Sequence, residues 1–283
     1  MNNSYQQVIN DARKLLIENN IYDGFAFRYM LELCQLYDIN LYVNKDNRIS
    51  VDIYNIYQQG IERLLKNEPL AYILGFEWFY GRRFKVNSDV LIPRQETEEL
   101  LGKILSLADD YFIDGGLVAD IATGSGNLAI SLALELNNCQ VYGLDISESA
   151  LIVAKQNAID LGANVNFLCG DMAKPLIDNN IKVDILVANP PYIGNDEKIS
   201  ESVYNYEPHL ALFGGNDGLN LYRKLFDQLP FVLNSKSIVG LEIGYWQKDA
   251  IMHEINSRFK DCRCWCEKDI NGLDRMLFIC FGC

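Results

Sequence analysis

From residue 4 to residue 66 the apolar positions recur at helical spacing. Val8, Ala12, Leu15 and Leu16 mark a first run that Asn19-Asn20 breaks, and a second spans about Asp23 to Leu36. A third follows Ser50, whose hydroxyl can cap it, with Tyr54, Ile56, Tyr57, Ile61 and Leu64-Leu65 facing inward. The pattern predicts a small helical bundle. It then changes: Tyr72-Ile73-Leu74-Gly75 and Phe76 to Phe84, broken by Gly81, are aromatic-rich and read as a short β-hairpin or strand pair joining two domains. From about residue 94 helix and strand alternate. Strands are predicted at 117–122, 141–144, 165–169, 183–188 and 237–243, and helices at 96–107, 127–136, 148–160, 219–229 and 247–259. A long irregular piece covers 189–218, and two last strands, 262–267 and 275–281, flank the turn Asp269-Ile270-Asn271-Gly272. Repeated β-α units imply a parallel sheet with helices on both faces. The last two strands are joined too tightly for a parallel crossover, so one of them runs antiparallel.

With 283 residues, 49% of them hydrophobic, the chain can bury one large domain and a smaller companion. Its net charge of -13 is uneven: 7 basic and 10 acidic side chains fall in residues 1–80, against 18 and 28 in the rest. Such an excess of acid opposes a grip on phosphates, so stable nucleic-acid binding is not expected. No apolar stretch is long enough to predict a membrane span, and Met1-Asn2-Asn3-Ser4-Tyr5 has neither the basic flank nor the apolar run of a signal peptide, so a cytoplasmic protein is expected. The eight cysteines do not form a disulfide framework. Cys262, Cys264 and Cys266 alternate and would share one face of a strand; without a tight turn between paired ligands, they read as small core residues and no metal is expected.

The chemistry starts at Asp120-Ile121-Ala122-Thr123-Gly124-Ser125-Gly126, a glycine turn between a strand and a helix. Glycines there let the backbone approach a ligand without a Cβ clash. The next strand ends in Asp145, placed to bind both hydroxyls of a ribose. That geometry serves NAD and S-adenosylmethionine alike, but the continuation Gly126-Asn127-Leu128-Ala129 lacks the third glycine of a dinucleotide fingerprint. The third strand ends in Gly170-Asp171-Met172, suited to an adenine amino group and ring face, and the fourth ends in Asn189-Pro190-Pro191-Tyr192. A planar nitrogen is a poor nucleophile because its lone pair is delocalised. The Asn189 side-chain carbonyl and the Pro190 backbone carbonyl can accept its two hydrogens, consecutive prolines stiffen the support, and Tyr192 can lie against the planar group. These residues point to methyl transfer from S-adenosylmethionine to such a nitrogen. His209 reads as structural or near the substrate, and His253 as a surface residue.

The sequence also resembles the peptide chain release factor glutamine N5-methyltransferase family over nearly its whole length. Besides the two motifs above, the likeness rests on Phe79-Tyr80-Gly81 with Phe84, Leu91-Ile92-Pro93-Arg94-Gln95-Glu96-Thr97-Glu98, Asp145-Ile146-Ser147, Tyr206-Glu207-Pro208 with Ala211-Leu212, Gly214 to Leu219, Leu241-Glu242-Ile243-Gly244 and Asp269 to Arg275. The resemblance implies a helical substrate-recognition domain over residues 1–69, a β-hairpin linker over 70–93, and over 94–283 a Rossmann-like seven-stranded methyltransferase domain with an antiparallel final strand. It implies S-adenosylmethionine as cofactor, and class 1 release factors as substrate, methylated on the glutamine of Gly-Gly-Gln. Ala122, Thr123, Gly124, Ser125, Gly126 and Asp145 would hold cofactor, Met172 with Asp171 would flank adenine, and Asn189, Pro190, Pro191 and Tyr192 would hold the glutamine. The bundle and hairpin would form one wall of a groove, with Arg82, Arg83, Lys85 and Arg94 steering the substrate. Ala122 stands where the family usually has glycine, an exchange that is tolerable if its φ is negative. Met172 stands at a common tryptophan and Gln95 at a frequent proline. The rival readings are a glutamine methyltransferase of a ribosomal protein, an adenine N6-methyltransferase, and a noncatalytic module that binds release factor or ribosome.

Overall fold

The computed structural model describes residues 3–282. The chain forms two compact units, Met1–Phe76 with Ile199–Tyr206, and Glu77–Lys198 with Glu207–Cys283. The first is helical: α1 (Tyr5–Glu18), α2 (Gly24–Leu36), α3 (Leu41–Asn44), α4 (Val51–Leu64) and α5 (Leu70–Leu74). Ser4 Oγ accepts from the Gln7 amide and Ser50 Oγ from the Ile53 amide, both at 3.3 Å, satisfying amides that α1 and α4 leave free at their starts. Val8, Ile9, Ala12 and Leu16 of α1 meet Tyr29, Met30 and Leu33 of α2 and Ile53, Tyr57, Ile61 and Leu64 of α4 in one core. Leu15, expected on the apolar stripe, is exposed, and Ile9 takes the inward position. Two phenols inside this core have partners: Tyr57 donates to the Ala26 carbonyl at 2.9 Å and Tyr29 to that of Ile56 at 3.0 Å, their rings stacked 5.2 Å apart.

Tyr72-Ile73-Leu74, read as strand from its composition, is instead part of α5. Its turn is short enough that strand propensity yields to the cap that follows. Gly75 takes φ 79°, a left-handed conformation open to glycine, and its amide closes the helix on the Ala71 carbonyl at 2.8 Å.

The rest of the chain opens with a hairpin of β1 (Phe76–Phe79) and β2 (Arg82–Lys85). It continues through α6 (Gln95–Tyr111), β3 (Gly116–Ile121), α7 (Asn127–Glu135), β4 (Cys139–Asp145), α8 (Glu148–Leu161), β5 (Val165–Cys169), α9 (Lys174–Asp178) and β6 (Val183–Ala188). The predicted irregular piece holds α10 (Glu201–Tyr206), which belongs to the first unit, its Tyr206 hydroxyl donating to the Lys66 carbonyl at 2.8 Å. A 3-10 turn (His209–Ala211), α11 (Asn220–Val232), β7 (Leu233–Glu242), α12 (Lys248–Arg258), β8 (Cys262–Lys268) and β9 (Asp274–Phe281) complete the chain. The short helices α9 and α10 have too few turns to show a hydrophobic period in sequence.

Seven strands form one sheet in the order β5-β4-β3-β6-β7-β9-β8. From β5 to β7 all neighbours are parallel, and β9 runs antiparallel between β7 and β8. Alternate side chains serve two apolar layers. Ile121, Leu186 and Val239 pack with Leu225 and Phe226 of α11 and Ile251 and Ile255 of α12. Val118, Val141 and Ile185 pack on the other face with Leu100 and Ile104 of α6 and Leu128 of α7. After β3 the chain moves to β4 and β5 on one side, then returns to β6 on the other, so the sheet reverses direction beside β3. In open parallel sheets a crevice forms at the carboxyl ends of the strands flanking such a reversal.

The three cysteines of β8 pack, partly buried, against the first of these layers, with Cys264 Sγ 3.2 Å from Met252 Sδ. Cys283 lies outside the described residues. Among the described residues no group of three or more His, Cys, Asp or Glu side chains is gathered to hold a metal ion, and no helix is long and apolar enough to cross a membrane.

Candidate active site

The carboxyl ends of β3, β4, β5 and β6 border a cavity of about 330 Å³. Of the residues singled out in the sequence, Ala122, Thr123, Gly124, Ser125, Asp145, Asp171, Met172, Asn189 and Pro191 line it. Gly126 caps the start of α7 with φ 82° and does not line the cavity. Pro190 is buried and Tyr192 packs half-buried against the core layer beneath, rather than lining the cavity.

The glycine loop is held by local carboxylate contacts. Asp120 Oδ2 accepts from Thr123 Oγ1 at 2.5 Å and from the Ala129 amide at 3.1 Å, while its Oδ1 is buried with no hydrogen-bond partner. Burial pushes this carboxyl up to about 7, against the pull of those two donors. Asp145 accepts from the Gly124 amide at 2.8 Å and the Ser147 amide at 2.9 Å, and burial raises it too. Gly124 has φ 55° and nothing within 4 Å of where a Cβ would stand, so a side chain there would project into open space against the backbone's preference. Ala122 corrects an expectation: its φ is +60°, not negative. The tight descent from β3, with the Thr123 amide bonded to the Leu144 carbonyl at 2.8 Å, imposes a left-handed residue where the Cβ is disfavoured.

At the end of β5, Met172 is buried with φ 53° and faces the cavity. Asp171 forms an ion pair with Lys224 of α11, a partner the sequence did not suggest.

The Asn189 end is built from distant parts of the chain. Asn189 Nδ2 donates to Thr97 Oγ1 at 3.1 Å, and Thr97 Oγ1 donates to Glu242 Oε2 at 2.6 Å. Burial lifts the Glu242 carboxyl to about 7 although Thr97 and Arg275 oppose the rise. The Tyr192 carbonyl accepts from Gln247 Nε2 at 2.9 Å, and Gln247 Oε1 accepts from the Gly244 amide at 3.0 Å, which ties the motif to the end of β7. Glu207, also buried, accepts from the Ile92 amide at 3.1 Å and from Arg94 at 2.5 Å, joining two segments that help line the cavity. Thr97, Glu207 and Glu242 stand in the motifs of the resemblance, but nothing in their sequence neighbours points to these partners. An acidic residue closing an otherwise apolar strand, as in Val239-Gly240-Leu241-Glu242, was the available signal.

The basic hairpin residues are engaged within their own unit. Arg82 pairs with Glu135 at 2.5 Å, Lys85 with Asp160 at 2.7 Å, and the Arg83 guanidinium lies 4.9 Å from the Trp78 ring centroid. His209 stacks edge-on against Phe213, and His253 is exposed on α12.

Residues 114–268 match the family model described as a methyltransferase domain, and residues 7–75 match that of the PrmC N-terminal domain. A methyltransferase structure from Pyrococcus furiosus aligns with 78% of this chain and 96% of its own, at a TM-score of 0.51 and 18% identity, which shows a shared fold. The release factor glutamine methyltransferase of Bacillus cereus is 41% identical over 87% of this chain and 89% of its own length. That of Staphylococcus aureus is 37% identical over 97% of this chain and 98% of its own. With such identity sustained across both units, this chain belongs to the release factor glutamine methyltransferase family.

Proposed function

We propose that the protein transfers a methyl group from S-adenosylmethionine to the side-chain amide nitrogen of the glutamine in the Gly-Gly-Gln motif of class 1 release factors. The observation that carries this reading is Asn189 at the end of β6, opening on the same cavity as the glycine loop, in a chain whose relatives carry that activity in their names. The residues present fit the cofactor. Asp120 Oδ1, buried and without a partner, suits an ammonium group; Asp145 retains lone pairs for ribose hydroxyls; and the space around Gly124 admits a ligand close to the backbone. When bound, S-adenosylmethionine supplies an electrophilic methyl group on a sulfonium.

The chain's own part is to bind and orient. Asn189 Oδ1 and the Pro190 carbonyl accept the two amide hydrogens, which turns the nitrogen lone pair out of conjugation and grows more favourable as the nitrogen becomes electron-poor. The buried prolines keep these acceptors rigid. Asp171 and Met172 border the adenine end, and Tyr192 stiffens the motif from below rather than covering the target. No base need act before transfer, because the nitrogen proton becomes acidic only once the methyl has arrived. We assign substrate recognition to the helical unit, within residues 1–69, with residues 70–93 as linker and 94–283 as the methyltransferase domain. A substrate that acts in translation places the enzyme in the cytoplasm.

Incubating the full chain with a class 1 release factor and isotopically labelled S-adenosylmethionine should put one methyl on the Gly-Gly-Gln peptide, located by tandem mass spectrometry. Label in a ribosomal protein alone, or in DNA, would overturn the assignment.

A further inference from the structure

Asn189 serves this reaction only if its oxygen, and not its NH₂, faces the incoming amide. The two ends of a carboxamide are nearly the same size, so whatever grips one end decides which end is presented. Here the gripped end is Nδ2, which donates to Thr97 Oγ1. The Thr97 hydroxyl has a single proton and gives it to Glu242 Oε2, so towards Asn189 it can only accept. Thr97 is 2% exposed and Glu242 1%, which leaves little room for water to offer either one a different partner.

We propose that Glu242 is a positioning residue whose ionised carboxylate, acting through Thr97, sets which end of the Asn189 amide faces the substrate. The inference rests on the reading that Asn189 holds the target glutamine. An ionised carboxylate only accepts, which fixes the proton order along the whole chain: Asn189 to Thr97 to Glu242. Protonated, the acid can donate to Thr97 instead. The Thr97 proton then turns towards Asn189, where an oxygen is now the better partner, and the flipped NH₂ meets the substrate NH₂ donor to donor.

The groups facing Glu242 are Arg275 on β9, Arg94 and Glu96 at the start of α6, Tyr192 after β6 and Tyr222 on α11, whose hydroxyl donates to the Glu242 carbonyl at 2.6 Å. Burial, the largest effect, raises the carboxyl and Glu96 adds to the rise; together they outweigh the Thr97 hydrogen bond and the two cations, which favour the ionised form, and bring the carboxyl to about 7. The flip therefore falls within the working pH range. Because protonation is the inactivating event, turnover should fall as pH drops through about 7 and hold above it.

The test is the rate of release-factor methylation at saturating S-adenosylmethionine from pH 5.5 to 9, with circular dichroism confirming the fold of each variant. The wild-type rate should lose about tenfold per pH unit on the acid side. Glu242→Gln can offer Thr97 an oxygen or an NH₂, so it should lower the rate about tenfold at pH 8.5, abolish the acid limb and leave cofactor affinity within about twofold. Thr97→Val should act likewise, and Thr97→Ser, which restores the hydroxyl, should recover both rate and limb. An acid limb that survives in Glu242→Gln and Thr97→Val, or a serine variant no better than valine, would overturn the relay alone. No transfer by the wild type at any pH would instead remove the functional reading beneath it.

Discussion

The two ends of the cavity are built on opposite principles. At the glycine loop, the contacts that hold the carboxylates are mostly close in sequence: Asp120 to Thr123 spans 3 residues, Asp120 to Ala129 spans 9, and Asp145 to Ser147 spans 2. At the Asn189 end the contacts are remote, with 92 residues between Thr97 and Asn189 and 145 between Thr97 and Glu242. Backbone amides organise the first end, and side chains from α6, β6 and β7 organise the second. A strand-turn-helix can thus form the glycine loop almost by itself, with Asp145 added from the neighbouring β4, whereas the Asn189 end exists only once the sheet has closed and α6 has packed upon it. Damage at the first should show in cofactor affinity, and damage at the second in rate.

The largest expected effect tests that division directly. Asn189→Ala should lower kcat by about 10²- to 10³-fold, as loss of one preorganised transition-state partner does, with S-adenosylmethionine affinity changed less than about threefold. A comparable loss of affinity in isothermal titration would show that the two ends are not separable. Next, Asp120→Asn should weaken S-adenosylmethionine by about 10- to 100-fold by removing the buried charge opposite an ammonium group. The same change should stabilise the cofactor-free protein at pH 8. Asp120 is raised from 3.8 to about 7 on folding, so the folded state holds its proton through that interval while the unfolded state releases it, and stability falls as pH rises. Asparagine does not ionise, so melts of the two proteins should differ by on the order of 4 kcal/mol at pH 8 and converge towards pH 4. Equal melting differences at both pH values would reject the titration.

A smaller effect belongs to the loop backbone. Ala122→Gly should raise stability by about 0.5–1 kcal/mol, because relief at φ 60° exceeds the added freedom of the unfolded chain. The urea midpoint should rise at constant slope, and a fall would mean that the alanine methyl contributes packing that outweighs the strain. The smallest effect lies outside both ends. Arg82→Ala should change stability by less than about 0.5 kcal/mol and kcat/KM by less than about twofold, since its charge is already paired with Glu135 near the surface. A larger loss of kcat/KM, fading with added salt, would show that this guanidinium leaves its partner to meet the substrate.

What the sequence determined by itself was local. Helical and strand periods, the Ser50 cap, the glycine turn, Asp145 one strand later and Asn189-Pro190-Pro191-Tyr192 were legible because each depends on neighbours a few residues away. Even local pattern misled where a short segment was settled by its ending, as at Tyr72-Ile73-Leu74 before the left-handed Gly75. Tertiary structure decided what those local pieces face. It set the positive φ of Ala122, paired Asp171 with Lys224, turned Tyr192 towards the core, and brought Thr97 and Glu242 behind Asn189. The physical reason is that a buried polar group must find its partner wherever packing puts one, and packing obeys the register of the sheet and the faces of its helices rather than distance along the chain.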